Sequence, residues 1–181
     1  MTSREANQAV NAYIHSVRRA VAAFVDQQQI IRLGPDSNGA YALTPPQGDP
    51  IVLRDSAGQA RIALSLTLNY HAVTTPDQRH GWIHTVKYQY QLETVDDPPR
   101  EFLRFEWHPD VPDMTYPHAH IGLAAFGGTS IISERAHIPT GWITLLHVLV
   151  YAMRDHGIAP VRDDWEERLS EAHAVLLQSL L

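Results

Sequence analysis

Three histidines stand out by type and spacing. His118 and His120 lie one residue apart in PHAHIG, and His137 follows in RAHIP. Side chains two apart on an extended strand point to one face, so the first two imidazoles share a side. Gly127–Gly128 lies between the two segments and is a two-residue turn signal. With those glycines as the turn, HAHIGLAAF pairs with TSIISERAH. His118 then faces His137, and His120 faces Arg135. Directly opposed Cβ atoms lie about 5 Å apart, close enough for the imidazoles to converge. Ala119, Ile121, Leu123 and Ile132 fall on the opposite face, which suits a core.

Three chemistries fit this pattern. Three imidazoles and an open water position make a catalytic zinc site, and the same nitrogens also accept other transition metals. Without metal, two histidines can act as general base and acid on a phosphodiester, with Arg135 opposing the extra negative charge. In the third reading these are polar side chains on a solvated face. The strand and loop before the hairpin supply partners for an imidazole. Glu106 and His108 share the polar side of their strand, and Asp110 and Asp113 follow in a proline-stiffened connection.

The elements that would carry these residues are legible from periodicity. Ala6, Val10, Tyr13, Val17, Val21 and Phe24 recur at helical spacing and predict a helix over 4–27, with Thr2 and Glu5 as a capping box. Short strands are expected near 30–33, 40–43 and 51–54, between turn signals. Strict alternation predicts strands over 60–70 and 82–93. The latter puts Trp82, His84, Val86, Tyr88, Tyr90 and Leu92 on one side. Another strand over 101–108 puts Leu103, Phe105 and Trp107 opposite Arg104, Glu106 and His108. Thr144 caps a helix over 144–156 that Gly157 stops, and Asp164 with Glu167 opens a last helix over 164–180. His147, His156 and His173 lie on these helices with no metal spacing linking them. The order is one helix, many strands, then two helices. This predicts a single α+β domain over 1–181, with an antiparallel meander-like sheet over 30–137.

Composition bounds the function. The 181 residues contain no cysteine, which excludes disulfides, thiolate metal sites and a cysteine nucleophile. The N-terminus has no apolar signal core and no run approaches a membrane span, so a cytoplasmic protein without membrane attachment is expected. The net charge is −6 with neutral histidine, and protonating all 11 histidines would carry it to +5. No Lys/Arg run marks a DNA-binding surface. Gly127-Gly128-Thr129-Ser130 lacks the lysine and helix of a phosphate loop, and no G-x-S-x-G supports Ser130 or Ser133 as a nucleophile.

The stretch over 102–153 reads FLRFEWHPDVPDMTYPHAHIGL, then AHIPTG, then ITLLHVLVYAM. This layout resembles small bacterial TumE-like proteins, toxins of toxin–antitoxin modules. The resemblance implies a bacterial cytoplasmic protein with ribonuclease activity, and it carries over His118, His120 and His137. The N-terminal helix and first strands have no counterpart in it. Two other classes stay open. The apolar faces of the first and last helices would serve a protein partner or a homo-oligomer. Alternatively, a structural metal would tie the hairpin to the loop before it.

Overall fold

The computed structural model describes residues 4–26, 30–74, 81–112, 114–126 and 136–180. Among the described residues it is α+β, with an antiparallel sheet of eight strands and three helices. Helix α1 (Arg4–Val21) leads into β1 (Ile31–Leu33), β2 (Tyr41–Thr44), β3 (Ile51–Arg54), β4 (Ala60–Thr74), β5 (Gly81–Thr94) and β6 (Glu101–Trp107). β7 (His118–Ile121) and β8 (Ile138–Pro139) precede α2 (Leu145–His156) and α3 (Trp165–Leu180). The strands run β1-β2-β4-β5-β6-β7-β8, with β3 also paired to β4. Among the described residues, no helix is long and apolar enough to cross a membrane.

Alternation sorts the sheet into two faces. Leu64, Leu66 and Leu68 of β4 lie beside Leu92, Tyr90 and Tyr88 of β5, all buried. The helices cover this face. Val10, Tyr13, Val17 and Phe24 of α1 and its end join Leu169, Ala172 and Leu176 of α3 in one core cluster. Each fully buried apolar side chain of this size contributes roughly 1.5–3 kcal/mol. The apolar faces of both terminal helices are therefore engaged within the fold. A buried polar chain stitches the layers: Tyr13 Oη lies 3.1 Å from Thr85 Oγ1, which lies 2.8 Å from Ser179 Oγ. The opposite face carries Ser65, Gln89, Gln91, Glu93, Arg104 and Glu106. Gln89 donates to Gln91 at 3.0 Å, and Gln91 donates to Glu93 at 2.9 Å.

Several elements depart from the periodicity reading. Helix α1 ends at Val21, short of residue 27, and Thr2 of the expected cap lies outside the described residues. In β5 the pairing steps from Asn69↔Lys87 to Tyr70↔Thr85, leaving Val86 as an extra residue. Such a bulge reverses the alternation. Ile83 and Thr85 therefore join the core, while Trp82, expected beside Tyr88, is 46% exposed. Strand β7 stops at Ile121. Residues Leu123–Phe126, expected as strand, form a 3-10 turn. Gly122 sets this change of course. Its N–H donates to the Phe102 carbonyl at 3.0 Å, and a Cβ there would collide with the Glu101 carbonyl oxygen.

Candidate metal centre

The three histidines meet at one end of the polar face, through a register different from the expected one. β7 pairs with β8 as His118↔Pro139 and Ala119↔Ile138, so His118 does not face His137. The shift is two residues. A two-residue shift preserves which face each side chain occupies, so the three imidazoles still share a side. Continuing this register brings His137 level with His120. Their ring centroids are 4.4 Å apart, the shortest of the three separations; His118 lies 5.1 Å from His120 and 4.9 Å from His137. Strand β7 ends at Ile121 and the 3-10 turn over Leu123–Phe126 follows it. Gly127–Gly128, Ser130, Ile132, Ser133 and Arg135 lie outside the described residues, as does Asp113.

One ligand atom from each of His118, His120 and His137 lies within 4.8 Å of the others, so the group could hold a metal ion. His118 is 1% exposed and His120 5%, which corrects the reading of both as solvated polar residues. Their partner is Glu106. β6 pairs with β7 as Glu106↔His118 and Arg104↔His120. Glu106 Oε1 lies 3.1 Å from Nε2 of His118 and 2.8 Å from Nε2 of His120. Donor atoms bound at about 2.0–2.1 Å in a tetrahedral site stand about 3.3 Å apart, so these separations approach those of shared ligands.

The tautomers sharpen this. Nδ1 of His118 lies 2.9 Å from the Tyr116 carbonyl, which only accepts, so Nδ1 carries a proton. Nε2 then faces a second acceptor, the Glu106 carboxylate. Two acceptors on one imidazole are satisfied by an added proton or by a cation at Nε2. A ring nitrogen donating to a carbonyl while the other faces a cation site is the usual setting of a metal-binding histidine. Nδ1 of His137 is buried and has no hydrogen-bond partner among the described residues. An orphaned polar atom of this kind costs about 1–3 kcal/mol.

Electrostatics keep the carboxylate charged. Burial pushes the Glu106 carboxyl up, but Arg104 and the two imidazoles together hold it below the usual glutamate value. Arg104 Nε stands 3.1 Å from Glu106 Oε2, off line for a hydrogen bond, and its Nη1 donates to Glu101 at 3.2 Å. Burial lowers His120, outweighing the hydrogen bond to Glu106 that raises it, so the neutral, ligand-competent form is favoured.

The remaining expected residues divide. His108 Nε2 stands 3.8 Å from Glu106 Oε2, and burial lowers its pKa as well. Asp110 is exposed and lines a neighbouring cleft. Arg104 lies on the polar side of its strand, as expected, and its spacing alone does not mark it as the counter-ion of Glu106. His147 and His173, which no metal spacing links, meet at Thr144. Their rings are 5.1 Å apart, and the Thr144 hydroxyl lies 3.2 Å and 3.0 Å from their Nδ1 atoms. His156 stays apart, 3.2 Å from the Tyr151 hydroxyl at the end of α2.

In comparisons with protein-family models, curated proteins and solved structures, nothing matches the chain at a significant level.

Proposed function

We propose that His118, His120 and His137, with Glu106, form a transition-metal centre that hydrolyses a phosphodiester of RNA or of a nucleotide. The observation that carries this is the convergence of three imidazoles on a buried point where two Nε2 atoms share one carboxylate oxygen. The donor set is nitrogen and oxygen, which suits zinc and also iron, manganese, copper or nickel. Bound there, such a metal would supply water acidified to about pKa 7. Glu106, whose Oε1 faces both Nε2 atoms while its Oε2 faces Arg104, would serve as the base beside such a metal. Hydrolysis would join a water oxygen to phosphorus and break one P–O bond, with the proton that Glu106 takes from the water passing to the leaving oxygen. The resemblance to TumE-like toxins supports the same substrate class, a bacterial source and a cytoplasmic setting. A metal-free reaction would use the same imidazoles as acid and base.

Burial favours a second reading. At 1% and 5% exposure, His118 and His120 suit a closed structural site that tethers the β7–β8 end of the sheet. Elemental mass spectrometry of protein purified without chelator, followed by hydrolysis assays on RNA and nucleotides, tests all three. About one equivalent of metal and an activity lost on chelation support the metal-centre reading. Metal without activity, and a chelator-induced fall in melting temperature, support the structural one. Activity that survives chelation supports acid–base catalysis by the histidines alone. The absence of both metal and activity overturns the proposal. A protein partner or homo-oligomer would have to use a surface other than the apolar helix faces.

A further inference from the structure

Lys87 is the only lysine among 181 residues; the other 13 basic residues are arginines. It lines a cleft of about 510 Å³, a volume within the usual range of small-molecule sites. The bulge at Val86 turns His84 to the face that Lys87 occupies. His71 and His84, cross-strand partners on β4 and β5, lie in the same cleft, with Trp107 at the wall. We infer that this cleft binds the phosphate of a mononucleotide-sized ester, with Lys87 and the His71/His84 pair on the phosphate and Trp107 beside its apolar part. The inference rests on the proposed hydrolytic centre only for where the scissile bond would lie.

Geometry connects the two places. Lys87 and Gln89 are two apart on β5, and Gln89 is the cross-strand partner of Glu106. A rise of about 3.4 Å per residue and a strand spacing of about 4.8 Å put the Lys87 and Glu106 backbones roughly 8 Å apart. His108, 3.8 Å from Glu106, directly follows Trp107 in the chain. The deep burial of His118 and His120 leaves little room at the centre itself, so the body of a ligand needs a neighbouring space. A lysine ammonium is a compact point charge suited to phosphate. The acids in the cleft limit the ligand's size. Asp36 holds its own turn, accepting from Asn38 and Ala40 N–H at 2.8 and 2.9 Å, and Asp110 is exposed. Those two charges and the net −6 oppose a long polyanion and leave room for a single phosphate ester.

A single lysine makes the test direct. The full chain is acetylated with an N-hydroxysuccinimide ester, and modification of Lys87 is followed by peptide mass, with the N-terminal amine as internal control. AMP is expected to slow acetylation of Lys87 and inorganic phosphate to slow it less, while adenosine leaves it unchanged. Lys87→Gln should weaken AMP binding about tenfold by calorimetry. No protection by AMP, or equal protection by adenosine, overturns the inference. His137→Ala separates it from the metal centre: protection that persists after metal is lost upholds the cleft alone. Metal retained in a protein that AMP does not protect upholds the centre alone.

Discussion

Glu106 on β6 places one carboxylate oxygen 2.8 Å from Nε2 of His120 on β7, and the same oxygen 3.1 Å from Nε2 of His118. The carboxylate therefore organises the imidazoles even though it lies 12 residues and a proline-rich loop upstream of His118. Glu106→Gln keeps the shape and removes the charge. It is expected to lower metal affinity about 10–100-fold, the usual effect of removing a carboxylate that supports a metal site. His118→Ala should abolish binding. Competition against a chromogenic chelator reads both, and an unchanged affinity in Glu106→Gln would remove Glu106 from the centre.

Gly122 marks where the backbone of β7 approaches β6. Gly122→Ala introduces a Cβ against the Glu101 carbonyl and must displace main chain. The expected cost is about 1–3 kcal/mol in urea denaturation, the range for forced overpacking. A variant as stable as the parent would show that this contact relaxes freely.

Alkaline pH should destabilise the fold through buried tyrosines. Burial pushes the Tyr13 hydroxyl up to about 12, against the weaker lowering effect of Thr85 and Ser179. The unfolded chain ionises near the ordinary value of 10, so the contribution is present below pH 10 and is lost as pH rises toward 12. The slope from one such group is about 1.4 kcal/mol per pH unit in that window. Tyr13→Phe should flatten the stability profile there, leaving Thr85 and Ser179 still bonded to each other.

Acid should weaken the start of α2. The Thr144 N–H donates to Nδ1 of His147 at 3.0 Å, so an imidazole occupies the role that a glutamate or glutamine fills in a capping box. Burial, with His173 beside it, lowers the His147 pKa. A base with a depressed folded pKa stabilises above its ordinary value near 6.5, and that contribution is lost as pH falls through the folded value. His147→Gln retains an acceptor that does not titrate. It should match the parent at neutral pH and lose less stability at acid pH in melting experiments. Equal acid sensitivity would place the effect in other histidines.

Local chemistry determined much of this protein. Alternation in β4, β5 and β6 identified the strands, since period two with one apolar face has few other outcomes. The Val10–Tyr13–Val17 stripe, Thr144 and Gly157 marked the helices, and the order of elements implied an antiparallel α+β sheet. The His-x-His spacing alone put two imidazoles on one side. Tertiary structure decided the rest. The Val86 bulge turned Trp82 outward, because one extra residue reverses the alternation between the two sides of the bulge and leaves no mark in composition. The β7–β8 register, His118 opposite Pro139, differs by two residues from the one the glycine pair implied, because strand pairing is decided between segments and neither encodes it by itself. The pairing of Glu106 with two histidines depended on β6 lying beside β7 in one register. The meeting of His147 with His173 depended on the packing of α2 against α3. Sequence spacing states which side a residue takes; only the docking of elements brings two such sides within bonding distance.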